Sequence, residues 1–397
     1  KSWWRDAMIR RAIIGAIAMA ATIAPSAHAQ ITPSTVQMIP SSTGYQPSDT
    51  VEKGLWLEMD EAERQMRASK FLIDDPELIA YLNQILCRAV SKDKCGSARI
   101  YLMRTPHFNA AMAPNGMMIV WSGLLLRVRN EAELATVLGH EFSHFEKQHS
   151  LKSFRDIKAK SDAVAWLGFV PGGIFAQMGL MGSVFRFNRE MEKEADMAAL
   201  EYLSSSGYDP MAASQIWEQL RGEMEAQAKA DKSIAKEAEN DFFSSHPNTK
   251  DRMEYLRSAA KRKAPNSENG ADRYRETIAR WWPRLIEDQV KLGDFASTEY
   301  LFASLARGQW TADLLYGRGE LYRARAKKGD FEAAEGFYRQ AIKTDAKLAE
   351  SWRGLGLVLM RQGKAVEGRK MLRQYLAASP NAGDKAIIGM MAQEPAK

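Results

Sequence analysis

Histidine is scarce in this sequence, with six among 397 residues, and cysteine is scarcer, with two. So few cysteines exclude a four-cysteine zinc module and a disulfide-built scaffold. Charge of one sign is also lacking. The 55 basic and 49 acidic residues leave a formal charge of +6, and no basic stretch is interleaved with aromatics, so a nucleic-acid partner is not expected. The apolar run from Ala12 to Ala24 is thirteen residues long, short of the roughly 20 that a membrane-spanning helix needs. Lys1, Arg5, Arg10 and Arg11 precede it or stand at its edge, and "AHA" at 27–29 follows. That pattern reads as a signal peptide, residues 1–29, cleaved after Ala29. Its loss removes four basic residues and one acid, which takes the charge from +6 to +3. The mature chain is then expected in a bacterial periplasm, with no membrane span. In that compartment Cys87 and Cys95, eight apart, would form a disulfide closing a short loop.

Residues 30–50 are rich in Ser, Thr and Pro and have no apolar period, which predicts a disordered lead-in. Helical periodicity follows to about Ala89, with Asp75 as a cap and Pro76 in a first turn. Two strand-like runs come next, "ARIYLMRT" and "GMMIVWS". The second is read here as an exposed edge on which an extended peptide could pair. A long helix is expected from near Asn130, and another over 188–206. Residues 163–187 are apolar but broken by Pro171, Gly172 and Gly173. They read as buried hairpin helices or as a Met-rich lip near a membrane or substrate. Residues 259–272, charged and without a hydrophobic period, read as a linker. Beyond them "GDFEAAEGFYRQAIKTDA" (329–346) recurs as "GKAVEGRKMLRQYLAASP" (363–380), an offset of 34 residues. That is the period of a tetratricopeptide unit, with small residues where paired helices cross. The expected architecture is α+β: a mostly helical domain with a small sheet over residues 51–258, the linker, and an all-α repeat domain over 273–397.

Three of the six histidines fall within "LGHEFSHFEKQH", residues 138–149. His140 and His144, four apart, share one face of a helix and can offer two imidazoles to one zinc ion. Glu141 is rotated about 100° from His140, so its carboxylate stands beside the metal, where it can act as a base. A catalytic zinc takes three protein ligands. The third is sought in "FNREMEKEADMAALEYL" (187–203). There Met191, Ala195, Ala198, Ala199 and Tyr202 form an apolar stripe, with Glu192 and Asp196 together at its margin. Inward carboxylates need a cation or hydrogen-bond donors. Glu192 is therefore the expected ligand and Asp196 a partner orienting one of the histidines. Glu194 is the alternative ligand; otherwise Glu190, Glu194 and Glu201 form a solvated face. Of the remaining histidines, His246 is the best placed to approach the site. It would donate a hydrogen bond to an oxyanion, close the site as a fourth ligand, or stand in solvent near a helix cap.

The segments "NAAMAPNGMMIVWSGLLLRVRNEAELATVLGHEFSHFEKQH", "NREMEKEADMAALEYLSSSGYDP" and "SSHPNTKDRMEYL" resemble the peptidase family that includes HtpX-type and Oma-type proteases. The resemblance implies a zincin-like gluzincin fold. It also implies one zinc ion on His140, His144 and Glu192, with Glu141 as base and Asp196 as its paired acid. His246, Pro247 and Arg252 match the family's His-Pro followed by an arginine. The implied function is hydrolysis of unfolded or misassembled envelope proteins, with the repeats meeting an envelope or outer-membrane assembly partner. A repeat-based scaffold or holdase with an inert metal domain is the rival, and a structural zinc domain is disfavoured because no cysteine lies near the site.

Overall fold

The computed structural model describes residues 45–160, 187–230, 246, 250–263 and 267–394. The expected signal peptide, most of the lead-in, nearly all of the apolar segment 163–187, and Pro247 lie outside the described residues. Among the described residues, no helix is long and apolar enough to cross a membrane.

Helix α1 (Thr50–Arg67) starts at Asp49, whose side chain accepts from the backbone N–H groups of Val51 and Glu52. That satisfies donors which a helix start leaves open. Residues before it are tied to its first turn: the Tyr45 hydroxyl donates to Glu52 Oε1 at 2.6 Å. Helix α2 (Pro76–Val90) is capped by Asp75, as its sequence predicts, and the short α3 (Lys92–Cys95) follows. Cys87 and Cys95 are disulfide-bonded, their Cα atoms 4.9 Å apart. The bond fastens the end of α2 to the entry of the sheet.

That sheet has three strands: β1 (Arg99–Met103), β2 (Ala110–Met112) and β3 (Met117–Trp121), in the order β1-β3-β2. β3 runs parallel to β1 and antiparallel to β2. "GMMIVWS" is therefore the central strand and not an edge, which corrects the reading made from sequence. The physical reason is legible in the strand itself. Met117, Met118, Ile119 and Val120 are all buried, and a strand covered on both faces needs an unbroken apolar run. The edge beside the candidate site is β2. Its turn into β3 is held by α1, because Asn115 Nδ2 donates to Asp60 Oδ1 at 2.8 Å and to Glu63 Oε2 at 3.0 Å.

Helices α4 (Ser122–Arg127), α5 (Glu131–Glu146), α6 (His149–Lys160), α7 (Arg189–Ser205), α8 (Ala212–Ala230) and α9 (Lys250–Ala260) complete the body around the sheet. Then come α10 (Ala271–Ile278), α11 (Trp282–Val290), α12 (Phe295–Ala306), α13 (Ala312–Arg325), α14 (Asp330–Thr344), α15 (Ala349–Arg361), α16 (Ala365–Ala378) and α17 (Lys385–Ala392). From α13 onward consecutive helices pack on one another. Tyr338 is clasped between Gly319 and Gly354, where an added Cβ would lie 2.4 Å from its ring at either position. The small residues of the 34-residue pattern thus mark places where helices and a buried tyrosine meet closely.

The first helices after residue 270 lie on the body that carries the histidines. Arg273 Nη2 pairs with Glu131 Oε2 at 2.6 Å, and the buried Tyr274 donates to the Leu125 carbonyl at 2.5 Å. Arg104 forms two 2.7 Å bonds to Asp288. The buried Arg127 joins Glu223 at 2.9 Å and Gln289 at 3.0 Å. Residues 268 and 269 also engage the body: Glu268 bridges Tyr208, and the Asn269 carbonyl accepts from Ala132 N at 3.0 Å.

Candidate metal centre

Asn130 caps α5 by accepting from Glu133 N at 2.8 Å, and the helix is buried on most of its faces. Its central turn meets α7 closely because residue 139 is glycine. A Cβ there would stand 3.2 Å from the Tyr202 ring and 3.8 Å from Ala199 Cα. This approach brings the face bearing Glu192 and Asp196 against the face bearing His140 and His144. All four are buried, with 4 % exposure at most. Asn188 caps α7, accepting from Glu190 N and Met191 N.

His140, His144, Glu192 and His246 form one cluster, each offering a donor atom within 4.8 Å of the others. His144 Nε2 lies 3.1 Å from His140 Nε2. Glu192 Oε1 lies 3.4 Å from His144 Nε2 and 2.8 Å from His246 Nδ1. His246 Nδ1 is 3.4 Å from His140 Nε2. Ligands about 2.0–2.1 Å from a tetrahedral zinc ion stand about 3.3 Å from one another, close to these separations. Among the described residues Glu141 Oε1 is buried without a hydrogen-bond partner, and His246 Nε2 lies 3.8 Å from it.

Electrostatics supports the same conclusion. Asp196 accepts two 2.6 Å bonds from Arg252, lies 3.1 Å from His140 Nδ1 and also accepts from the Tyr255 hydroxyl. Burial opposes its ionisation, but the Arg252 charge and the His140 contact hold its pKa at about 2. Burial likewise opposes a charge on Glu192, and His246 with Arg252 drives it well below the usual carboxylate range. Burial pushes Glu141 up and His144 well down. Burial disfavours a charged His140, yet Asp196 and Glu192 outweigh it and raise the pKa to about 9. Three buried carboxylates face the single guanidinium of Arg252. Glu192 and Asp196 stay ionised beside Arg252 and a protonated His140, and a divalent cation on neutral imidazoles would supply the positive charge that the His140 proton supplies without it. Donor types, spacing and charge therefore all fit zinc.

The residues singled out from sequence stand together: His140, Glu141, His144, Glu192, Asp196 and His246 line one buried site. Glu194 does not join it. It is about half exposed and bonded to Lys147 and His149, so it is not a ligand candidate. Sequence reasoning missed the contacts of Trp217, over whose ring the Arg252 guanidinium lies at 4.1 Å. It also missed Phe187, stacked on His144 with ring centroids 3.8 Å apart. Neither has a periodic signal that ties it to the motif. His149 is a correction: its sequence reads as a continuation of the His140 and His144 helix, but that helix ends at Glu146 and the chain turns at the left-handed Gln148 before His149 starts α6.

Comparison with known proteins agrees with this geometry. Residues 74–260 match the model of Peptidase family M48. The chain is 25% identical over 357 residues to the Beta-barrel assembly-enhancing protease of Escherichia coli (strain K12), covering 85% of this chain and 62% of that protein. It is 30% identical over 222 residues to the Beta-barrel assembly-enhancing protease of Yersinia pestis, covering 51% of this chain and 43% of that protein. It is 28% identical over 211 residues to the Mitochondrial metalloendopeptidase OMA1 of Schizosaccharomyces pombe, covering 52% of this chain and 58% of that protein. The chain thus spans about three fifths of the first relative's length. The zincin-like α+β architecture expected from sequence is present, with helices around a small three-stranded sheet.

Proposed function

We propose, from the premise that residues 74–260 form a peptidase family M48 domain, that this chain is a zinc-dependent metalloendopeptidase. It acts in the periplasm on unfolded or misassembled envelope proteins. The observation that carries the activity is the convergence of two histidines, Glu192 and the unpartnered Glu141 oxygen in one buried site. His140, His144 and Glu192 would hold one zinc ion per chain. When bound, the ion supplies Lewis acidity at the scissile carbonyl and lowers the pKa of water toward about 7.

Every other step belongs to the chain's own groups. Glu141 takes the proton of the attacking water and passes it to the leaving amine, and the burial that pushes its pKa up favours its holding that proton between the two transfers. Asp196 holds His140 in place from the far side of the ring. An extended peptide would pair with the edge strand β2, the strand nearest α5. Backbone pairing of this kind tolerates many sequences and requires an unfolded substrate. His246 stands within the donor cluster, 2.8 Å from Glu192, which favours the latch over the oxyanion donor: as a fourth ligand it closes the position that a substrate needs.

The remaining assignments follow the same reading. Residues 1–29 direct export, and 51–258 carry the chemistry. Beyond 259–272, the helices of 273–397 act as tetratricopeptide-type repeats that choose an envelope assembly partner. The name of the relative in Escherichia coli supports that partner class. The rival is a scaffold or holdase with an inert metal site, and Glu141→Gln separates the two. The variant should keep about one zinc per chain and lose casein cleavage by about 10²–10⁴-fold. Equal cleavage by variant and wild type would overturn the proposal.

A further inference from the structure

His149 and Glu194 have no part in the chemistry above, yet they connect His144 to the protein surface. Between α5 and α6, Gln148 adopts φ 55°, a left-handed conformation uncommon for a residue other than glycine. The turn brings the His149 ring back toward the preceding helix. His149 is fully buried, and its Nδ1 lies 2.9 Å from His144 Nδ1. On the far side of the ring, His149 Nε2 lies 3.1 Å from Glu194 Oε2. The Lys147 ammonium donates to the other Glu194 oxygen at 3.1 Å, and the Glu194 side chain is 54 % exposed.

Counting protons along this line leaves one arrangement. Two ring nitrogens 2.9 Å apart share one hydrogen. A lone pair on His144 Nε2, which faces His140 and Glu192, requires that hydrogen to sit on His144 Nδ1 and be donated to His149 Nδ1. His149 then carries its own proton on Nε2 and donates it to the Glu194 carboxylate. We infer that His149 and Glu194 are positioning residues that fix the ring orientation and tautomer of His144, with a surface carboxylate acting through an intervening imidazole. His140 receives the same support directly from Asp196 at 3.1 Å. Each histidine of the H-E-x-x-H pair thus has an acidic anchor, one buried and direct, the other exposed and relayed. Such partners orient a ligand histidine and raise its donor strength. The inference rests on the reading of His144 as a metal ligand.

The test is zinc affinity of the full chain, measured by competition with a chromophoric chelator. His149→Phe should weaken binding by about 10–100-fold. His149→Asn places an acceptor oxygen where Nδ1 stood, and should recover most of that loss. Glu194→Ala alters an exposed side chain and leaves the core intact; it should cost about two- to fivefold. Nitrogen-15 NMR of the imidazoles should show His144 protonated at Nδ1 in wild type, and lose that preference in His149→Phe. Zinc binding unchanged in all three variants would overturn the relay alone. So would an Asn variant as weak as Phe, since the loss would then be one of packing. A wild-type chain that takes up no zinc would instead overturn the metal assignment, and the relay with it.

Discussion

Arg252 is a guanidinium buried against Asp196 and Glu192 in the described site, which makes it a sharp point at which to perturb the structure. It is 2 % exposed and forms both 2.6 Å bonds to Asp196. It reaches Glu192 Oε2 at 3.1 Å and lies over the Trp217 ring. Arg252→Met keeps most of the stem and its packing on Trp217 but removes the charge. A unit pair about 4 Å apart is worth about 4 kcal/mol at an effective dielectric of 20. Removing one partner of a buried pair costs about 3–5 kcal/mol, because the other is left uncompensated. The expected loss of folding stability is therefore about 3–5 kcal/mol, read by urea denaturation in excess zinc. Arg252→Lys retains the charge without the two-pronged geometry, so it should fall between wild type and Met. A loss below about 1 kcal/mol for Met would refute the charge argument. Lys as damaging as Met would also refute it, since geometry alone would then account for the effect.

His246→Ala should speed casein cleavage by removing the fourth donor from the cluster; slower cleavage with unchanged zinc content would show an oxyanion donor instead. Asp313 offers a pH-dependent handle in α13, because burial and then its acidic neighbours Asp345 and Glu350 push its pKa up to about 6 from 3.8. A raised carboxylate pKa lowers stability as pH rises from about 4 through 6, and the penalty is complete at pH 7. Asp313→Asn should accordingly stabilise the fold by about 1–3 kcal/mol at pH 7.5 and hardly at all at pH 4; a pH-independent gain would refute this origin. A chain ending at Asp272 should aggregate or unfold, since it loses Arg273, Asp288 and Gln289, which bond to Glu131, Arg104 and Arg127. A chain ending at Gly308 keeps those contacts and should retain wild-type zinc binding. Equal solubility and thermal midpoints for the two truncations would sink that expectation.

What could be read from the sequence, and what could not, follows from the range of each interaction. His140, Glu141 and His144 sit on one helix and Glu192 and Asp196 on another, so a period of 3.6 residues decides which side chains share a face. The apposition of those two faces was legible too, because only a cation or donors make inward carboxylates tolerable. His149 escaped because its placement depends on a single left-handed residue, Gln148, after which helical phase no longer applies. β3 was misplaced at the edge although its unbroken apolar run was the mark of a strand covered on both faces. That error moved the expected substrate edge one strand away from β2.

The segment 259–272 shows a different limit. It has no hydrophobic period, and that absence is what makes a stretch read as a linker. Yet in the fold its backbone performs the joining: the Asn269 carbonyl accepts from Ala132 N, and Glu268 bridges Tyr208. Main-chain groups are the same at every non-proline residue, so such bonds leave no trace in side-chain pattern. The pairs that then fasten 273–306 to the body, such as Arg104 with Asp288, join residues 184 positions apart. Charged residues on helix faces look solvated in sequence whether or not a partner waits for them. Helix α8 shows the consequence: it lends Trp217 to Arg252 and His140 at the site while Gln219 bonds Ser304 of α12. One helix thus touches both the proposed chemistry and the helices proposed to choose a partner.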